Sequence, residues 1–171
     1  MKMRYLIAFL LGCLALPLQA DVLDYRDQRL QLHDSARACY LAWIKLYDAH
    51  YFRSADGSTR CVRLDYLRGF SREQLIEATE QILQQRHGAA WLKQHGEAMR
   101  DLRQAYRPVG VGDSYQFCID AAQGGEMLRD GQSVVRFEQP QFADRFMAIW
   151  VDEVEQGEHR WRVPGCIGGR S

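Results

Sequence analysis

The chain has 171 residues, 47% of them hydrophobic, and equal numbers of basic and acidic side chains, 22 of each. That length suffices for one domain with a core of its own. With Lys2 and Arg4 set aside in a leader, 20 basic residues face 22 acidic ones, which excludes a surface that attracts nucleic acid by bulk charge.

Residues 1–20 read as that leader. Lys2 and Arg4 give a positive start, Tyr5 to Leu16 an apolar run, and Pro17 breaks the run before Ala20. This order is the pattern of a secretory signal peptide, and cleavage after Ala20 leaves 21–171 as one domain in the periplasm or outside the cell. Leu10-Leu11-Gly12-Cys13 offers a rival lipoprotein box, with Cys13 acylated. Against it, Leu11 is bulky for its place and apolar residues continue past Cys13, where a polar tether belongs. The apolar run is too short for a membrane helix, so no stable insertion is expected after cleavage.

Asp21 to His33 is polar with scattered leucines and reads as an edge strand or a lead-in. From Ala36 to Phe52 the chain alternates like a single strand. Its even positions (Ala38, Tyr40, Ala42, Ile44, Leu46) form an apolar, core-facing side. Its odd positions (Arg37, Cys39, Leu41, Trp43, Lys45, Tyr47) mix cations with large apolar groups. A turn at Asp56-Gly57 and a second alternating run, RCVRLDYL, complete a hairpin. Ser71 and Gln74 then form a capping-box pair, flanked by Phe70 and Leu75 at staple positions. Leu75, Ile76, Thr79, Ile82 and Leu83 repeat at helical spacing up to His87-Gly88. A second helical stretch carries Trp91, Leu92, His95, Ala98, Met99, Leu102 and Tyr106 on one stripe and ends at Pro108. Period two returns in SYQFCID, with Ser114 read as a turn residue before it. A turn at Gln123-Gly124-Gly125, a short strand Met127 to Arg129, a tight turn at Asp130-Gly131 and the strand SVVRF follow. Pro140 opens a third helix with Phe142, Phe146, Ile149 and Trp150 on one side. The tail HRWRVPGCIGGRS has too much Gly and Pro for a defined element. The sum is one α+β domain.

Cys39, Cys61, Cys118 and Cys166 follow the leader, an even count that suggests up to two disulfides in an oxidising compartment. Three pairings are open. A hairpin turning at Asp56-Gly57 sets Cys61 opposite Tyr51 and so disfavours Cys39–Cys61. No two of these cysteines have the close spacing of a zinc or redox centre. The five histidines are scattered, and no carboxylate cluster accompanies them at ligand spacing, so neither a metal nor another cofactor is expected.

Several phrases resemble the bacterial chalcone isomerase-like domain, a family of exported or periplasmic proteins. They are the Arg37-to-Tyr47 strand, LDYLRGFSREQLIEA, YRPVGVGDSYQF, the Gly124-Gly125 and Asp130-Gly131 turns, and FADRFMAIW. The resemblance implies an open-faced antiparallel sheet packed by helices, with a cleft where sheet meets helices. It implies that Arg37 matches the arginine that polarises the substrate carbonyl in plant chalcone isomerases and meets the carboxylate in fatty-acid-binding relatives. Two departures stand out. His33-Asp34-Ser35-Ala36 replaces a glycine-rich turn, and 38–52 lacks any Ser or Thr to match the enzyme's threonine.

Three functions are therefore in view. In the first, the domain binds a small apolar carboxylate such as a fatty acid, with Arg37 at the head group and Trp43 and Tyr47 as aromatic walls. In the second, it is an intramolecular lyase of chalcone type with Arg37 as the catalytic cation and Lys45 or Tyr47 as a second donor. On a regular strand Arg37 and Lys45 stand about 26 Å apart and share no small anion. In the third, it is an envelope interaction protein with no small ligand. An apolar cavity beside Arg37 is the sign of the first two. A filled cleft, with Arg37 in water or paired to a carboxylate such as Asp34, is the sign of the third.

Overall fold

The computed structural model describes residues 22–154 and 158–167; the leader and Cys13 lie outside them. Seven strands form one sheet in sequence order: β1 Val22–Tyr25, β2 Gln28–Tyr40, β3 Ile44–Arg53, β4 Thr59–Tyr66, β5 Ser114–Asp120, β6 Gly124–Arg129 and β7 Gln132–Phe137. Every neighbouring pair is antiparallel. Helices α1 (Arg72–His87), α2 (Ala89–Gln94) and α3 (Gly96–Ala105) separate β4 from β5, and α4 (Pro140–Met147) follows β7. A two-stranded ribbon, β8 (Val151–Glu153) with β9 (His159–Trp161), closes the chain. The expected α+β architecture, an open antiparallel sheet packed by helices, is the one observed.

Pleating gives the sheet two unlike faces. On the helix face, Ala49, Val62, Leu64, Tyr66, Tyr115, Phe117, Ile119, Met127 and Phe137 meet Leu75 and Leu83 of α1, Met99 and Leu102 of α3, and Phe142 and Phe146 of α4 in one core. Gly125 lets α4 approach, because a Cβ there would stand 2.8 Å from Ala143 and 2.9 Å from the Phe117 ring. On the other face the sheet curls until Tyr25 of β1 bonds Glu126 of β6, enclosing a smaller core of Leu23, Tyr25, Leu30, Phe52, Cys61 and Cys118.

Helix α1 begins as its sequence dictates. The Ser71 hydroxyl accepts from the Gln74 N–H at 3.2 Å and the Gln74 side chain accepts from the Ser71 N–H at 2.8 Å, satisfying two donors a helix start leaves open. The second helical stretch is interrupted. His95 leaves helical geometry (ψ 28°) and divides it into α2 and α3, while Ala98, Met99 and Leu102 keep the buried stripe. Helix α4 ends at Met147, so Ile149 and Trp150 are buried just beyond it. Ser114 is the first residue of β5 and not part of the turn; its N–H donates to Asp130.

The largest departure lies between Ala36 and Phe52. These residues make a hairpin, not one strand: β2 ends at Tyr40, Leu41–Trp43 turn, and β3 starts at Ile44. Leu41 and Ala42 take positive φ, 51° and 65°, a conformation costing an L-residue about 1–2 kcal/mol. No Gly, Asn, Asp or Pro announces the turn, which is why the alternation looked continuous. Of the expected core side, only Ala38 is buried; Tyr40 and Ile44 are exposed. The hairpin also brings Lys45 opposite Cys39, two places from Arg37 and not 26 Å away.

Two disulfides join Cys61 to Cys118 and Cys39 to Cys166. Cys61 lies opposite Phe52, one place from the expected Tyr51, and directly across β5 from Cys118. The tail, too Gly- and Pro-rich to assign from sequence, supplies β9 and then runs beside β2. Cys39 N–H donates to Pro164 O at 2.8 Å, and His159 and the Trp161 indole both donate to Asp34 at 2.8 Å. Thus β1 covers the first half of the β2 edge and the tail the second.

Candidate functional site

Arg37, Trp43 and Tyr47 do not converge. The register pairs Arg37 with Asp48 and Ala38 with Tyr47, so Arg37 stands on the open face and Tyr47 on the helix face. The Arg37 guanidinium is 45% exposed and bonds both Asp48 carboxylate oxygens, at 2.5 and 2.9 Å. That bidentate pair raises its already high pKa. Trp43 projects into solvent at 76% exposure. Tyr47 packs on the main core, where burial pushes its hydroxyl up to about 12, partly offset by a hydrogen bond from Trp150 and by nearby Arg86. Arg37 therefore lies on the opposite face from the sheet–helix boundary, and it does not line the groove found there among the described residues.

The open face holds a chain of polar groups that the sequence did not disclose. Ser35 Oγ is 2.8 Å from His50 Nδ1, and His50 Nε2 is 3.4 Å from Asp65. Burial raises the Asp65 pKa, but the bonds from His50 and Arg63 outweigh it and the net direction is down. A serine nucleophile also needs free donors for its oxyanion. Here Ser35 N–H is taken by Asp34 and the neighbouring strands pair in the ladder. The chain ties β2, β3 and β4 together.

A groove of about 690 Å³ does exist at the sheet–helix boundary, at the far end of the sheet. Arg60 on its wall is level with Arg53 and Gln31, six residues along β2 from Arg37, or about 20 Å. Trp91, Met147, Ala148 and Val151 give the groove apolar surface. Trp91 is fixed by stacking on Phe142 (centroids 5.7 Å apart) and on His95 (4.3 Å). Three carboxylates line it, and each is matched by arginine. Asp144 and Glu153 share Arg60, and Asp152 takes Arg160 and Arg162. Arg145, also on the lining, forms no ion pair among the described residues. Behind Ala148, whose carbonyl accepts from Arg86, lie Tyr47 and Trp150. Burial, helped by Arg162, lowers the Arg86 pKa. The groove thus combines apolar surface with a cation, Arg145, that has no ion-pair partner among the described residues. Among the described residues no cluster of three or more metal-ligating side chains occurs.

No family model and no curated protein matches the chain. Among solved structures, the fatty-acid binding protein AtFAP1 of Arabidopsis thaliana superposes with a TM-score of 0.55, covering 70% of this chain and 78% of that one. The fold is chalcone isomerase-like. At 10% identity the match to AtFAP1 carries the chalcone isomerase-like fold and no residue roles. Within that fold a groove opens at the sheet–helix boundary, and Arg60 and Arg145 are on its lining while Arg37 is not. Sequence alone offered little signal for this, since the lining is gathered from β4, α2, α4 and β8. The two disulfides agree with an oxidising, extracytoplasmic setting, and no described helix is long and apolar enough to cross a membrane.

Proposed function

We propose that the chain is an exported binding domain, periplasmic or secreted, that holds a small apolar carboxylate such as a fatty acid in the sheet–helix groove. The observation that carries this is the Arg145 guanidinium, without an ion-pair partner among the described residues, beside the apolar floor of Trp91, Met147 and Val151. AtFAP1, a protein of the same fold named for fatty-acid binding, supports the ligand class. Arg145 would meet the head group through a charge-assisted bond. Burial of the chain would supply most of the affinity, about 0.8 kcal/mol per methylene. Arg37, the position the family resemblance implies for the head group, would first have to surrender Asp48.

Solvent extraction and mass spectrometry of gently purified protein, followed by titration of the delipidated chain with a long-chain fatty acid, test this. Arg145→Ala is expected to weaken binding roughly tenfold to a hundredfold, the worth of a hydrogen bond to a charged group. Arg37→Met is expected to leave it unchanged. The opposite pattern returns the head group to the open face, and absence of any co-purified or titratable amphiphile ends the proposal.

A second function, interaction without a small ligand, is favoured by the filled interior. Phe142, Phe146, Leu83 and Val62 are completely inaccessible, and Arg37 is paired to a carboxylate. Chalcone-type ring closure has no such support, because the cation it would use is neutralised by Asp48. Loss of the chalcone absorption band faster than the spontaneous reaction would reinstate it.

A further inference from the structure

The end of the sheet opposite the groove carries an apolar tip that no core needs. Leu41 is 65% exposed, Trp43 76% and Tyr40 59%, and Ile167 of the tail, 85% exposed, adjoins them. Two constraints hold this tip in shape. The Cys39–Cys166 disulfide clamps its base, and Ile167 N–H donates to Ala42 O at 2.7 Å. Leu41 and Ala42 sustain an unfavourable φ there, so the turn is enforced by its surroundings and not chosen by its residues.

Among the described residues, the charges near the tip that lack an ion-pair partner are cations. Lys45 is the second residue of β3, and Arg68 follows Leu67, whose N–H donates to Leu46 O. Arg107 sits on the loop before β5, and its guanidinium donates to the backbone carbonyls of Gln104 and Tyr106. None of the three has a carboxylate partner among the described residues. Described carboxylates at this end have partners: Asp48 pairs with Arg37, Asp65 with Arg63, and Asp113 and Asp130 with Arg129. A convex apolar finger with Trp and Tyr, ringed by free cations, matches the boundary between head groups and acyl chains. Amphipathic aromatics settle at that boundary, and each nearby Lys or Arg is drawn to anionic lipid. A bilayer also accepts a protruding tip without offering a matching groove.

We propose that the β2–β3 hairpin end docks the domain on an anionic phospholipid surface, with Leu41 and Trp43 entering the interface and Lys45 and Arg68 meeting lipid phosphates. This end is remote from Arg145, so it stands or falls separately from the fatty-acid groove.

Co-sedimentation of the full chain with phosphatidylcholine vesicles, with and without phosphatidylglycerol, tests it. Wild type and variants share the N-terminal segment, so any contribution from that segment cancels in the comparison. Binding is expected to need phosphatidylglycerol and to weaken with salt. It should fall about a hundredfold in Leu41→Ser/Trp43→Ser and on the order of tenfold in Lys45→Gln/Arg68→Gln. All four side chains are exposed, and an unchanged melting temperature confirms that the variants fold. Brominated lipid should quench a fluorescence component that Trp43→Phe removes. Equal binding of wild type and both double variants overturns the proposal, as does an unquenched Trp43. Self-association abolished by the tip variants, without vesicle binding, overturns it in favour of a second copy of the chain.

Discussion

The two ends of the sheet solve the problem of an open edge in opposite ways. At the curled end, Glu126 is only 3% exposed and gathers Tyr25, Arg26 and Arg136 onto one carboxylate. Beside it Cys61–Cys118 lies wholly inside the smaller core. The Glu126 carboxylate there is buried and satisfied. At the hairpin end apolar groups are exposed, and a disulfide ties the buried Cys39 to the partly exposed Cys166. The first arrangement maximises cohesion. The second spends it to hold a shape outward, the usual sign of a contact surface.

The sharpest way to break this contrast is to remove the Glu126 charge. Glu126→Gln leaves Arg26 and Arg136 without their shared anion and should cost about 3 kcal/mol, read by urea unfolding. Burial pushes the Glu126 carboxyl up, but its bonds from Ser133, Tyr25, Arg136 and Arg26 outweigh this and hold it at about 2. A carboxyl depressed in the folded state stabilises fully above its ordinary range and loses that contribution as pH falls toward 2. Wild type should therefore lose stability steeply below about pH 4.5, and the variant less steeply. Parallel acid curves would show that the curled end does not depend on this charge.

Replacing both Cys39 and Cys166 with serine is expected to cost about 2–4 kcal/mol. Hydrogen exchange should quicken around 36–44 and 160–167 while β4 and β5 stay protected. Loosening of both ends together would mean that they are not separate units. The smallest effect is a gain. Leu41→Gly relieves one positive φ and should stabilise by up to about 1 kcal/mol in thermal unfolding, because Leu41 makes no core contact to lose.

Much of the fold was legible where local chemistry is unambiguous. The Ser71/Gln74 box, the Asp56-Gly57 and Asp130-Gly131 turns and the alternating β4, β5 and β7 each announce themselves within a few residues. The hairpin tip does not, since Leu41-Ala42 has no turn chemistry and its geometry is imposed by a cysteine 127 residues from Cys39. Reading one strand in place of two put Arg37 and Tyr47 on one face, when the turn and the shift between Ala38 and Cys39 place them on opposite faces. The groove around Arg145 was equally hidden, because its character depends on which carboxylates arginines from other elements neutralise.

The covalent link between Cys39 and Cys166 also sets an order on biogenesis. As the polypeptide emerges, Cys39 meets Cys61 and Cys118 long before its native partner exists, whereas Cys61 and Cys118 can join once β5 has been made. The thiol of Cys39 must wait, unpaired, until Cys166 is made, or be captured wrongly and exchanged. Maturation of this domain should therefore depend on a disulfide-reshuffling catalyst more than on a simple oxidant.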